Sequence, residues 1–165
     1  PVEVGRRRRS IGSQHALGRA PRTREDIDAS VVAVVDRVTG RMRAAGRVGR
    51  TVTLRLRFGD FSRATRSHTL PQATATTRTI LDTVRVLLSA ATPTIEDRGL
   101  TLVGVAVGNL DDAEAVQLAL PFATYGTTAL DAALDEVRDR FGSGAVTRAV
   151  LLGRDRRLEV PLLPD

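Results

Sequence analysis

The chain has 165 residues, 42% of them hydrophobic, and its 25 basic residues stand against 19 acidic ones with no cysteine anywhere. That length supports one domain with a real core plus an appendage, while the missing cysteines exclude disulfides, thiolate metal sites and a cysteine nucleophile and suit a reducing cytoplasm. Residues 1–70 hold 16 Arg against 6 Asp and Glu, residues 71–110 hold 3 against 3, and residues 111–165 hold 6 against 10, so the first half is the candidate surface for a polyanion, nucleic acid above all.

The chain starts at Pro1, not Met, and reads as a fragment. No apolar run approaches the roughly 18 residues of a membrane span, and no signal-peptide pattern follows the first arginines. The run Arg6 to Arg9 reads as a linker or arm, either solvated or in contact with backbone phosphates. Ser10 to Leu17 is a first strand. Thr23 then predicts a helix N-cap, with Asp26 three residues on. Ile27, Val31, Val34, Val35, Val38 and Met42 recur at steps of three and four, and Gly46 ends the pattern. From Thr51 to Phe58 the alternation is strict, with Val52, Leu54, Leu56 and Phe58 on one side and Thr51, Thr53, Arg55 and Arg57 on the other. Gly59-Asp60 predicts a two-residue hairpin turn, and Phe61 to Leu70 a polar returning strand.

A second helix carries Thr77, Ile80, Leu81, Val84, Leu87 and Leu88 on its stripe and is stopped by Pro93. Leu100 to Val107 predicts a last strand. Strand, helix, hairpin of two strands, helix and strand make an α+β domain, expected as a four-stranded mixed sheet with both helices on one face and the other face bare. On that bare face the expected groups are Arg55 and Arg57, the hydroxyls of Thr51 and Thr53, and Arg66 and His68, a set suited to phosphate oxygens or to plain solvation. Asp111, Asp112 and Glu114 predict a flexible, solvated linker, not a metal site. Neither His15 nor His68 has the companions of a hydrolytic centre.

Gln117-Leu118-Ala119-Leu120-Pro121-Phe122 belongs to neither half. Pro121 argues against a central strand, and an extended peptide with apolar anchors fits a groove on another protein. The hexapeptide resembles the Q-L-x-L-P-F signature by which bacterial replication proteins attach to the sliding clamp. That resemblance makes Gln117 the rim hydrogen bond and Leu120 and Phe122 the pocket plugs, with Leu118 and Pro121 completing the clamp-binding set. After it, Leu130, Ala133, Leu134, Val137 and Phe141 mark a helix capped by Thr127 or Thr128 and ended by Gly142, and Ala149–Leu152 and Leu158–Leu163 are apolar segments that could pair.

Arg8-Arg9-Ser10-Ile11-Gly12, Thr65-Arg66-Ser67-His68-Thr69-Leu70, Leu102-Val103-Gly104-Val105-Ala106-Val107 and the hexapeptide together resemble the C-terminal end of a Y-family translesion DNA polymerase of the DNA polymerase IV (DinB) branch. The resemblance covers residues 6–122. It implies a little-finger fold of βαββαβ order that grips duplex DNA, with Ser10, Gly12, Thr65, Arg66, Ser67 and His68 at the phosphates beside Arg8 and Arg9. His68 departs from a basic residue common in the family, and Ala106 is small where the family is often charged. The implied divisions are an arm at 1–8, the little finger at 9–110, a tether with the clamp peptide at 111–122, and a tail at 123–165.

The implied partners are primer-template duplex and the sliding clamp (the DNA polymerase III beta subunit), with no membrane and a monomeric chain in isolation. Catalysis in the family uses palm carboxylates holding two Mg²⁺ ions, and no such segment occurs here. This fragment is therefore expected to carry no catalytic residue, metal or cofactor of its own, with Mg²⁺ in the parent polymerase. A stand-alone clamp-binding adaptor or DNA-binding regulator is the alternative. The tail, about 40 residues long, could pack on the little finger, on the clamp or on itself; the expectation is a small helix-plus-strand unit held apart by the tether.

Overall fold

The computed structural model describes residues 10–114 and 125–153. Its elements in chain order are β1 (Ser10–Ala16), α1 (Arg24–Ala44), β2 (Arg47–Phe58), β3 (Arg63–Thr74), α2 (Thr77–Ser89), α3 (Thr92–Arg98), β4 (Leu100–Asp112), α4 (Tyr125–Phe141) and a 3-10 turn at Ala149–Leu151. Thr23 caps α1 as expected: its side chain accepts from the Asp26 amide while the Asp26 carboxylate accepts from the Thr23 amide. Pro93 does more than stop α2. It occupies the first turn of α3, where its missing N–H costs nothing.

The four strands lie in the order β1-β4-β2-β3. Every neighbouring pair is antiparallel, which corrects the expected mixed sheet. The helical crossovers do join parallel strands, β1 to β2 and β3 to β4, but β4 separates the first pair and β2 the second. Each crossover therefore skips one strand, and no parallel ladder forms. β3 is an edge strand, so Pro71 is accommodated without loss of a ladder bond. The register of β2 against β3 shifts between Gly49 and Thr51, while against β4 it runs on there unbroken and close: a Cβ on Gly49 would stand 2.5 Å from Val107 Cγ1 and 3.0 Å from the Gly108 carbonyl.

Val52, Leu54, Leu56 and Phe58 of β2 and Val103, Val105 and Val107 of β4 are buried against Val31, Val34, Val35, Val38 and Met42 of α1 and Ile80, Leu81 and Val84 of α2. Both helices thus cover one face of the sheet, as expected from the two periodicities. Thr39, fully buried within α1, is satisfied by the Val35 carbonyl at 3.0 Å and by the Thr77 hydroxyl at 2.9 Å.

The tail does not stand apart. α4 lies on the α1–α2 side, where Asp131, only 4% exposed, accepts the Thr77 amide at 2.8 Å. Thr76 offers no side-chain cap to α2, so a carboxylate from a distant helix supplies one and meets the positive end of the helix dipole. Arg43 of α1 joins the group, with Nη2 donating to Asp135 at 3.0 Å and Nη1 3.4 Å from Asp131. Burial opposes the Arg43 charge, but the bond to Asp135 and the nearby Asp131 and Asp36 carboxylates raise the guanidinium above its ordinary value. Asp36 binds Arg138 at 2.8 Å and Arg148 at 3.3 Å. The expectation of a separated unit considered only apolar burial; charged groups perform the docking. Ala149–Leu151 forms a 3-10 turn, not the expected strand, and Leu158–Leu163 lies outside the described residues.

His15 is half-buried on the α1 side of β1, and its pKa is lowered by burial first and then by the charges of Arg37 and Arg22. The unfolded chain protonates this imidazole near its ordinary value of 6.5, while the folded chain keeps it neutral to lower pH. Stability is therefore fully present above that value and is lost as pH falls through the window beneath it. In urea titrations at pH 7.5 and 5.5, the wild type loses stability on acidification and His15→Gln loses less; an equal loss in both would assign the effect to other groups.

Candidate nucleic-acid interface

The strand registers fix which side chains share the face that the helices leave uncovered. Ser10, Gly108, Thr51 and Thr69 form one row across the sheet, and Gly12, Ala106, Thr53 and Ser67 form the next. Gln14, Gly104, Arg55 and Thr65 make the third, and Ala16, Leu102, Arg57 and Arg63 the fourth. The four rows contain no carboxylate. Hydroxyls occupy one end, guanidiniums the other, and the middle is nearly bare of side chains. A Cβ on Gly12 would come within 3.1 Å of Ala106 Cβ, and one on Gly104 within 3.3 Å of Gln14 Cβ, so any added side chain there would have to push outward and lift a bulky partner off the backbone.

The arginines of this face differ from those that tie the helices together. Among the described residues Arg55, Arg57 and Arg63 have no carboxylate partner, and Arg57 Nε is buried without an acceptor. On the helix side Arg43, Arg85, Arg138 and Arg148 each meet an aspartate. Guanidiniums left without acceptors beside hydroxyl donors constitute a site for an anion with many oxygens. At the hydroxyl end, Asn109, at a φ of 50°, donates to Thr51 Oγ1 at 2.8 Å, and Thr51 and Thr69 hydroxyls lie 3.2 Å apart.

Arg66 and His68 do not join Arg55 and Arg57. They pair with Leu54 and Val52, whose side chains enter the core, and so stand on the helix side of the exposed edge strand. The expected two-residue turn is the reason for the misplacement. Four residues separate β2 from β3: Phe58 donates to the Ser62 carbonyl at 2.9 Å, Asp60 Oδ1 accepts from the Ser62 amide at 2.9 Å, and Phe61 takes a left-handed φ of 65°. Thr65 and Ser67 fall on the open face, as do Ser10 and Gly12. Arg63 and Gln14 were missed. Alternation continued through a Phe58–Ser62 pair, which leaves three residues in the turn, would have found Arg63.

Arg8, Arg9 and the whole peptide Gln117-Leu118-Ala119-Leu120-Pro121-Phe122 lie outside the described residues. β4 continues to Asp112, so Asp111 and Asp112, expected in a linker, belong to the sheet; Asp112 pairs with Arg47, and the Ala113 amide donates to the Gly46 carbonyl at 2.8 Å. No cluster of three or more His, Cys, Asp or Glu suited to a metal ion occurs among the described residues. No described helix is long and apolar enough to cross a membrane. A cleft of about 910 Å³ opens at the hairpin end on the helix side, beside Phe61, Ile95 and Leu100. Three of its arginines meet acids, Arg85 with Asp28, Arg24 with Glu96 and Arg98 with Asp60, while Arg22 donates to the Leu17 carbonyl and Arg19 lies over the Phe61 ring.

Residues 8–120 match the family model described as the impB/mucB/samB family C-terminal domain. The chain is 36% identical over 164 residues to DNA polymerase IV 2 of Mesorhizobium japonicum, which covers 88% of this chain and 38% of that protein. It is 34% identical over 158 residues to DNA polymerase IV of Caulobacter vibrioides, covering 93% of this chain and 38% of the relative. It thus spans about two fifths of the length of these curated relatives. A DinB family error prone DNA polymerase from Sulfolobus solfataricus shares the fold, with a TM-score of 0.52 at 11% identity over 60% of this chain and 28% of that one. The antiparallel β1-β4-β2-β3 sheet with its bare cationic face is accordingly a little finger, and the chain belongs to the impB/mucB/samB family as a C-terminal domain of the DNA polymerase IV branch of Y-family polymerases.

Proposed function

We propose that this domain grips duplex DNA for a parent translesion polymerase and tethers that polymerase to the sliding clamp. The observation that carries the DNA reading is the acid-free open face, on which Arg55, Arg57 and Arg63 have no carboxylate partner among the described residues. Guanidiniums at one end, hydroxyls at the other and a low glycine and alanine centre let a phosphate backbone approach and be held without sequence readout. Gln117 to Phe122 supplies the tether by its resemblance to the clamp signature: Gln117 bonds the pocket rim, Leu120 and Phe122 fill the pocket, and Leu118 and Pro121 hold the strand extended. Polymerisation, with its Mg²⁺, belongs to carboxylates of the parent chain in the bacterial cytoplasm, and the residues described here supply position and residence on DNA.

Binding is then tolerant of sequence and steeply salt-dependent. Each phosphate neutralised contributes about 0.9 to the slope of log K against log salt. Replacing Arg55, Arg57 and Arg63 together by alanine lowers that slope by about 2.7, while Arg66→Ala, on the other side of the edge strand, lowers it by less than one unit. Fluorescence titrations with a primer-template between 50 and 200 mM salt read this directly. An unchanged slope in the triple variant would move the DNA site off this face.

A further inference from the structure

α4 is docked with its polar side inward. Asp131, Asp135 and Arg138, spaced four and three residues apart, bond Thr77, Arg43 and Asp36 of the domain. Leu130, Leu134, Val137 and Phe141, spaced four, three and four apart, form a different stripe of the same helix. Leu130 is 54% exposed and Phe141 68% exposed. In the segment that Arg138 ties back through the Val146 carbonyl, Val150 and Leu152 are exposed as well. A surface helix ordinarily turns its apolar stripe to the core and its charges to water. Here the most buried side chain of the helix is Asp131, Leu134 and Val137 are only half-buried, and the stripe keeps both its ends in water, an apolar surface of the kind that marks a contact with another molecule.

We propose that this stripe is a second contact for the sliding clamp, an inference that rests on the tether reading of Gln117 to Phe122. Continuity of the chain selects the occupant. Tyr125, where α4 begins, is three residues after Phe122, so the two lie at most about 10 Å apart. Leu130 follows within about 8 Å of helix. A protein that holds Phe122 in a pocket therefore has its surface beside the first half of α4, and an apolar shelf next to that pocket would cover the stripe. The charged docking of α4 on α1 then fixes the angle between domain and clamp, which a free peptide end could not do.

The test uses the whole chain and purified sliding clamp, with calorimetry as the readout. Leu130→Ser with Phe141→Ser changes two exposed side chains outside the core, and Leu130→Ala with Phe141→Ala is the milder companion. Both weaken clamp binding, the serine pair by roughly 10- to 30-fold, and leave DNA affinity unchanged. A synthetic 115–124 peptide binds the clamp about as weakly as the serine pair. Full-strength clamp binding by both variants overturns the second contact. Leu120→Ala with Phe122→Ala, measured alongside, separates the two ideas: loss there with none in the stripe variants leaves the tether standing alone, and no loss in either removes both. Sedimentation showing a dimer that the serine pair disperses, with clamp affinity unchanged, would give the stripe to a second copy of the chain and overturn the proposal.

Discussion

Leu120→Ala combined with Phe122→Ala lowers affinity for the sliding clamp by about a thousandfold. Each truncation empties a closed apolar pocket and costs about 2 kcal/mol, and two such losses amount to three orders of magnitude in the dissociation constant. Gln117→Ala costs about 1 kcal/mol, a factor of about five, because a rim hydrogen bond is exchanged for one to water. The fold survives in both cases: the sheet ends at Asp112, and the described buried core is built from residues between Leu17 and Val107. Calorimetry against purified clamp distinguishes these outcomes, and a double variant that binds at wild-type strength would dispose of the tether.

Arg43→Met destabilises the domain by about 3 kcal/mol, since removing one partner of a buried ion pair strands the other. The partner that loses most is Asp131, whose side chain is 5% exposed and which keeps only the Thr77 amide and Arg148 at 3.8 Å, while Asp135, at 28%, recovers water and adds less. Arg43 also donates to the Ala75 carbonyl and the Thr77 hydroxyl at 3.0 Å each, so the start of α2 loosens together with α4. Arg43→Met with Asp131→Leu recovers part of the loss, because neither charge is then left buried alone. The recovery stays incomplete, since the Thr77 amide loses its acceptor. Urea unfolding measures the stability, and hydrogen exchange on Leu130 to Phe141 measures the docking of α4. A change below about 0.5 kcal/mol, a typical surface value, would mean that this cluster does not hold the tail.

Much of the fold is legible along the chain because its signals are local. Thr23 and Asp26 announce the start of α1 through a capping box that involves only neighbouring residues. Alternation from Thr51 to Phe58 assigns every side chain of β2 to a face, since the period of a strand is two wherever it lies. The clamp role proposed for Gln117 to Phe122 likewise rests on a motif, because an extended peptide carries its specificity in its own order of residues.

The remainder depended on how distant segments meet. Whether Arg63 or Arg66 accompanies Arg57 is a matter of register: Phe58 meets Ser62, one residue further on than a two-residue turn would bring it, and a slip of one residue moves every side chain of β3 to the other face; Phe61 in a left-handed conformation and Asp60 bonded to Ser62 decide that length. Antiparallel pairing throughout followed from β4 entering between β1 and β2, a choice no single strand encodes. The orientation of α4 was hidden for the same reason. Its pattern shows an apolar stripe that a lone helix would bury, yet Asp131 finds the uncapped amide of Thr77 and the guanidinium of Arg43 only in the folded domain. Once those buried charges are paired, turning the helix over would strand them, and so Leu130 and Phe141 at the ends of the stripe stay in water.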